Sequence, residues 1–492
     1  MIRPRHARIV LLLSFALGLG CTRLKPVPTP SDTPTPVPSA TPSGTGASTV
    51  PSSTPSVVVP SPTPSPLALP TITLLGPSNG QDFGANAIDI AFAATAATGH
   101  KIVSASVLYN GTLLTTIKGE GPAFKLSNWN PNVVNNLSDK PDMTVVPNGD
   151  KTLTILATDE TGGVGKLEFG FRKPLRIVSW AEMTSMPGAT SHFAVFGDGA
   201  QPPSFTTLWG SVDGIESTVF PRTENYAFNP VGVGAWSTIK INGSSVPRAG
   251  YGWTLHPSGQ LVYIVGGRTG TQDLRTLDVY SPLRKVAEQS LSVMTNARRD
   301  AAVVYSSDNF LYAIGGKAAD TPIYSVERVA IGTDGNATGD WKAMSDTQSA
   351  RSGATAIQQG KEIWLFGGGF RPIEVYDPDT NKWRFLTQPD GTVVGTPETW
   401  ANSLMVTVGD RLFFFGGQKE DGSPVSSIYE FTPAARSWRT VGPLPTSNLI
   451  PAAEIGTTRL GGFFLGDSFY LLGGMSLPAH QVTKRVFKGT TL

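Results

Sequence analysis

The sequence is poor in cysteine, histidine and charge, and each shortage removes a class of function. Of its 492 residues a single one, Cys21, is a cysteine, so no intramolecular disulfide can form and stability must come from packing. The five histidines, His6, His100, His192, His256 and His480, lie far apart with no companion at ligand spacing, so no zinc or copper site is expected. Charged side chains make up 15% of the chain, against roughly 25% in an average soluble protein. Lys and Arg total 39 against 37 Asp and Glu, a net charge of +2 that offers no basic stripe for nucleic acid. No nucleophile elbow, phosphate loop or dinucleotide fingerprint is present, so neither catalytic residues nor a cofactor is expected. Glycine (54) and proline (40) are plentiful, which suits short strands joined by turns and an all-β fold.

The lone cysteine gives the protein an address. Arg3, Arg5 and Arg8 precede the apolar run Ile9 to Leu19. About eleven residues are too few to cross a bilayer core, which needs roughly 20, but they suit a signal-peptide core. Leu17-Gly18-Leu19-Gly20-Cys21 follows and resembles the bacterial lipobox, with its aliphatic residue displaced by one place. That resemblance implies that Cys21 is acylated and becomes the mature N-terminus, with enough acyl chains for stable anchoring. Residues 1–21 are therefore expected to be a lipoprotein signal peptide. The expected location is the cell envelope, periplasmic or at the cell surface. Thr22 lacks the acidic character that retains enteric lipoproteins in the inner membrane, so the outer membrane is expected in a Gram-negative host.

Residues 22–70 are mostly Pro, Thr and Ser, as in Pro26 to Pro38 and Pro60 to Pro66. Such a segment cannot bury a core and is expected to be a disordered, extended tether, reaching on the order of 100 Å at about 3.1 Å per residue. Residues 71–173 read as a small β-sandwich, with strands at Thr71–Leu75, Ala87–Phe92, Ile102–Tyr109, Thr112–Ile117, Thr152–Ala157 and Leu167–Phe171. Asn110-Gly111 between two of these runs is a strong two-residue hairpin signal. The tail from Pro147 to Phe171 resembles bacterial immunoglobulin-like domains. Trp129 sits in an Asn/Pro-rich stretch and is placed outside the core strands; Asp159 and Glu160 are read as a solvated turn rather than a calcium site.

The rest of the chain repeats. Five apolar runs end in paired glycines, LVYIVGG at Gly266-Gly267, FLYAIGG at Gly315-Gly316, EIWLFGG at Gly367-Gly368, RLFFFGG at Gly416-Gly417 and SFYLLGG at Gly473-Gly474. They are spaced by 49, 52, 49 and 57 residues. Strand-like runs follow the glycines, and Trp236, Trp341, Trp383 and Trp438 end several repeats. This pattern resembles kelch repeats, whose period is about 50 residues. The resemblance implies that residues 174–492 form a β-propeller. A degenerate repeat between Met183 and Ile239 raises the count to six blades. The last repeat lacks a fourth strand after Gln481 to Lys488, so the segment 175–183, with Trp180, is expected to complete it and close the ring. The expected fold class is thus all-β, a six-bladed kelch-type propeller preceded by an immunoglobulin-like sandwich.

Kelch propellers with an immunoglobulin-like domain resemble the galactose oxidase group in layout, but that group's radical cofactor needs a cysteine and this propeller has none. Counting back from each diglycine, one place per repeat holds Arg248, Arg298, Arg351 and, in the fifth, Trp400. Facing a common axis, these residues with nearby Tyr251 form the expected ligand site, since guanidinium groups suit carboxylates. The alternative is that each Arg pairs between blades. Glu398 and Glu454 occupy corresponding loops as structural partners or acid–base groups. The sequence therefore points to an envelope-anchored, monomeric binding protein for a glycan or a protein. The alternative is a carbohydrate-active enzyme resembling the kelch-type sialic acid epimerase.

Overall fold

The structure, a computed structural model, describes residues 68–79, 81–82, 88–109, 111–129, 149–197, 203–213, 221–445 and 458–491. Cys21, the signal peptide, nearly all of the tether, Asn110 and Glu454 lie outside the described residues. The chain divides into two compact units, one around residues 71–172 and one from Lys173 onward.

The first unit has two sheets. A three-stranded sheet holds Thr71–Gly76, Ile88–Thr95 and Ala123–Trp129, and a five-stranded sheet holds Gln81–Asp82, Val164–Lys173, Gly149–Asp159, Ile102–Tyr109 and Thr112–Lys118 in that spatial order. Alternation along Ile88–Thr95 buries Ile90, Phe92 and Ala94 on one face. Trp129 corrects the sequence reading. It ends a strand, is fully buried, and meets Phe171 of the other sheet edge to face at 5.5 Å. Asp159 caps a turn: its Oδ1 accepts N–H from Thr161 and Gly163, and the Thr161 hydroxyl bond holds its carboxyl below the usual range.

The second unit contains six antiparallel four-stranded sheets. Their innermost strands are Ala194–Gly197, Gly252–Leu255, Ala302–Tyr305, Ala354–Gln359, Leu404–Val408 and Gly461–Leu465. Each of the five diglycines lies at or just after the end of a second strand, and both glycines of every pair have positive φ. A Cβ on Gly315 would stand 2.5 Å from the Arg351 carbonyl oxygen, so both dihedral and space demand glycine there. In the first sheet Trp209 takes the first glycine's place at φ 47°.

The sixth sheet takes its outer strand from the other end of the unit. Ile177–Glu182 pairs antiparallel with Val486–Thr491, with Trp180 opposite Gly489. Its third strand is therefore Val486–Thr491. Gln481–Val482, read in the sequence as the start of that strand, instead pairs with Met475–Ser476 in a short hairpin. The outer-strand tryptophans pack between sheets: Trp438 meets Phe414 of its own sheet at 5.2 Å and Phe366 of the preceding one at 6.2 Å. The indole N–H of Trp383 donates to Ser345 O and that of Trp236 to Thr184 O, both at 2.9 Å, and each acceptor lies in the link that follows the previous outer strand. An all-β unit of this repeating kind fits a β-propeller.

Candidate functional site

Three consecutive residues lead into each innermost strand, and each has its own job. The first offers its carbonyl to the preceding sheet: Thr190, Arg248, Arg298, Arg351 and Trp400 accept from the N–H of Gly474, Gly210, Gly267, Gly316 and Gly369. The second bridges to the residue after its own sheet's glycines, as in Ala249 with Arg268, Arg299 with Lys317 and Ala401 with Gln418. The third turns toward the axis. His192, Gly250, Asp300, Gly353, Asn402 and Arg459 all have φ between 53° and 67°. Their backbones form a closed circle: Gly250 N donates to His192 O, Asp300 N to Gly250 O, Gly353 N to Asp300 O, Asn402 N to Gly353 O, Arg459 N to Asn402 O and His192 N to Arg459 O, at 2.6–3.4 Å. Six backbones thus make a collar at one end of the axis.

The collar opens into a cavity of about 550 Å³. Its wall includes the half-buried side chains Trp253, Tyr305, Ile357 and Met405, and His256 and Gln358 line it at the opposite end of the innermost strands. His256 packs edge to face on Tyr305 at 5.0 Å, and burial lowers the affinity of its imidazole for a proton. The collar side chains divide by chemistry. Asp300 Oδ1 leans over Gly250, where a Cβ would stand 2.9 Å away, and Asn402 Oδ1 leans over Gly353 at 2.2 Å from such a Cβ. Those two supply acceptors, while Arg459 and His192, adjacent in the circle, supply a guanidinium and an imidazole. His192 Nδ1 lies 2.8 Å from Ser191 Oγ.

Of the residues chosen from the sequence, Tyr251 lines this cavity, while Arg248, Arg298, Arg351 and Trp400 do not. Arg248, Arg298 and Arg351 are 0% exposed. Arg248 pairs with Asp278 at 2.7 Å, Arg298 with Glu327 at 2.5 Å and Arg351 with Glu374 at 2.8 Å, each acid lying on the third strand of the same sheet. Further bonds run to backbone, from Arg298 to Gly315 O and Ser325 O and from Arg351 to Gly367 O and Pro372 O. These guanidinium groups are internal struts, and within sheets rather than between them. Burial pushes the Arg248 guanidinium down and the Asp278 carboxyl up, so desolvation works against both charges of that pair.

Trp400, 2% exposed, stacks on Tyr429 at 5.6 Å. Tyr429 stands opposite Phe414, two residues before Gly416, just as Asp278, Glu327 and Glu374 stand opposite residues two before their own glycines. The fifth sheet therefore replaces an arginine–carboxylate strut with an aromatic one. Tyr251 is buried; its hydroxyl donates to Leu208 O and accepts from Ala194 N, tying the second sheet to the first, and burial raises its proton affinity strongly. Glu398 accepts from the Tyr429 hydroxyl and pairs with Lys419, which fits the structural role considered for it.

The collar residues Gly250, Asp300, Gly353 and Asn402 lie two places downstream of Arg248, Arg298, Arg351 and Trp400. Periodicity hid them, because two of the six collar positions are glycine and the other four are four different residue types. A count of two from each strut position would have found them. Among the described residues no group of three or more His, Cys, Asp or Glu is arranged to hold a metal ion.

Comparisons with known proteins agree with this architecture. The Kelch motif family matches residues 399–445, the stretch from the lead-in of the fifth sheet to the end of its outer strand. Kelch-like protein 25 of Xenopus tropicalis is 23% identical over 223 residues, which is 43% of this chain and 35% of that protein. A putative F-box/kelch-repeat protein of Arabidopsis thaliana is 24% identical over 244 residues, 48% of this chain and 65% of its own length. Host cell factor of Drosophila melanogaster is 31% identical over 153 residues, 29% of this chain and 10% of its own length. The matched stretches span less than two thirds of each of these relatives. Together they support a kelch-repeat protein.

Proposed function

We propose that the chain is a bacterial envelope lipoprotein that presents a six-bladed kelch propeller, carried behind an immunoglobulin-like domain on a Pro-rich tether, to a ligand outside the cytoplasm. It acts as an interaction protein rather than an enzyme. The ligand is a protein segment, the class favoured by the similarity to kelch-repeat proteins, with a glycan as the other class that a polar-rimmed opening accepts. The observation that carries this reading is the collar: six converging backbones frame a cavity of about 550 Å³ with polar side chains at its rim and aromatic and aliphatic side chains within. That volume is of the order usual for specific ligand sites.

Two experiments test the two halves. The anchor predicts that the cells incorporate labelled fatty acid into this chain and that Cys21→Ala abolishes it; unchanged labelling refutes lipidation at that residue. The binding reading predicts that the purified full chain captures a defined partner from envelope extracts or a glycan array. Trp253→Ala should weaken that capture about tenfold or more, as expected for losing one buried aromatic contact. Capture that is insensitive to substitutions at Trp253, Asp300 and Arg459 places the ligand elsewhere.

A further inference from the structure

The wall of the channel is made of strand edges. Each innermost strand ends its sheet, so only one of its two edges pairs with another strand. Ala302–Tyr305 comes within 8 Å of Gly252–Leu255 on one side and of Ala354–Gln359 on the other. Among the described residues, however, no backbone hydrogen bond joins two innermost strands beyond the collar. Alternate residues of such a strand turn their N–H and C=O groups toward the open edge. Ala354–Gln359 offers the longest of these edges, and all six of its residues are half-buried. At the collar the backbones already bond to one another, so a ligand meets open backbone only beyond it.

The charges that line the channel are already matched. Of the lining side chains only Asp300 and Arg459 are charged, with His192 and His256 titratable. Asp300 is nearly buried and lies 3.9 Å from the Arg299 guanidinium, and Arg459 and His192 have partners of their own. Ser258 N–H donates to His256 Nδ1 at 3.1 Å, which holds that nitrogen unprotonated and the ring neutral. A charged ligand would therefore lose its water here without gaining a countercharge.

Width narrows the ligand further. Hydrogen-bonded backbones stand about 4.8 Å apart, so the collar hexagon is about 10 Å across. An α-helix with its side chains is about 10–12 Å wide and does not fit, whereas one extended chain does. The second and third sheets line the channel with Trp253 and Tyr305, and the fourth and fifth with Ile357 and Met405.

We propose that the channel takes an uncharged, extended peptide segment of about six residues, which adds as a strand to the open edge of Ala354–Gln359. Its apolar side chains pack on the aromatic and aliphatic walls. The inference rests on reading the channel as the site for a protein segment, and it names that segment's conformation and charge.

Affinity selection on the purified full chain tests it, using a random library of N-acetylated, C-amidated hexapeptides read by mass spectrometry. The retained peptides are expected to be depleted of Asp, Glu, Lys and Arg. In the tightest of them, methylating alternate backbone nitrogens in one register should weaken binding about tenfold or more by calorimetry. The other register should matter less, because an added strand bonds along one edge. Binding should also slow hydrogen exchange at the amides of residues 354–359. None of these measurements needs a variant to fold. An empty selection, retained peptides rich in charge, methylation that acts equally in both registers, or unchanged exchange across 354–359 overturns the proposal. If peptides that fail these tests still lose binding to Trp253→Ala, the channel remains the ligand site and only the strand pairing falls; if nothing binds in a Trp253-dependent way, that reading falls too.

Discussion

Arg351 and Glu374 offer the sharpest test of the strut interpretation. Both side chains are 0% exposed and lie 2.8 Å apart, and Glu374 also accepts from Gln348 N–H at 2.8 Å. Arg351→Met would leave Glu374 buried without its countercharge, a change that costs about 3–5 kcal/mol. At roughly 2 °C per kcal/mol for a large domain, the melting temperature should fall by about 6–10 °C. Glu374→Leu should do comparable harm by stranding the guanidinium. The double variant removes both charges, as the fifth sheet does naturally with Trp400 and Tyr429. It still orphans the carbonyls of Gly367 and Pro372 that Arg351 serves. Its loss should therefore be similar to that of either single variant and far below their sum, with a coupling about as large as one single loss, about 3–5 kcal/mol. Circular dichroism melts and urea titrations of the four proteins measure this directly. Additive losses, or a harmless Arg351→Met, would refute the view that these arginines stabilise sheets. Ligand capture per folded molecule should stay unchanged in all four.

The remaining predictions concern pH, glycine and closure. Burial opposes the charge on Glu398, but the hydrogen bonds from Lys419 and Tyr429 outweigh it and leave the carboxyl below its usual range, while Lys419 is raised. The pair therefore contributes above the ordinary glutamate value of about 4.3, loses its effect as pH falls through the lowered Glu398 value, and loses it again as pH rises through the raised lysine value. Melting temperatures of Glu398→Gln should lie below wild type near neutrality and converge with it as pH falls through and below the lowered Glu398 value; a gap that stays constant into strong acid contradicts the assignment. Gly315→Ala, at φ 59° and facing a backbone oxygen at 2.5 Å, should cost on the order of 3 kcal/mol. Gly369→Ala, with positive φ but nothing within 4 Å, should cost only about 1–2 kcal/mol in urea titrations, and equal losses would remove crowding as the reason for the diglycines. Deleting residues 174–182 should expose Val486–Thr491 as an edge and yield aggregation or loss of cooperative unfolding by light scattering and calorimetry.

The repeats were legible because the diglycine requirement is local. A positive φ and a carbonyl at contact distance can be met only by glycine, so the constraint is written in one letter at each turn. The strands around it were legible for a similar reason, since burial on both faces demands unbroken apolar runs such as Leu412 to Phe415. The strut arginines misled because a recurring residue signals a shared environment but not the direction of its side chain. Their carboxylate partners lie 23–30 residues downstream, beyond any local pattern. Trp129 was misplaced by its polar neighbours, although its own size made burial the better expectation. The collar could not be seen as a motif, because what its members share is a backbone conformation and not a side chain.

The zipper between Ile177–Glu182 and Val486–Thr491 also sets the tempo of folding. Its bond between Arg485 and Glu182 spans 303 residues of sequence, so the circle stays open until almost the whole unit has emerged. Contacts of such separation form late and slow the search for the native state. At roughly 5–20 residues per second of synthesis, the first sheets would wait on the order of tens of seconds for their final neighbour. During that interval the innermost edges have no ring to join, and a chaperone that shields them would govern how much of the protein matures.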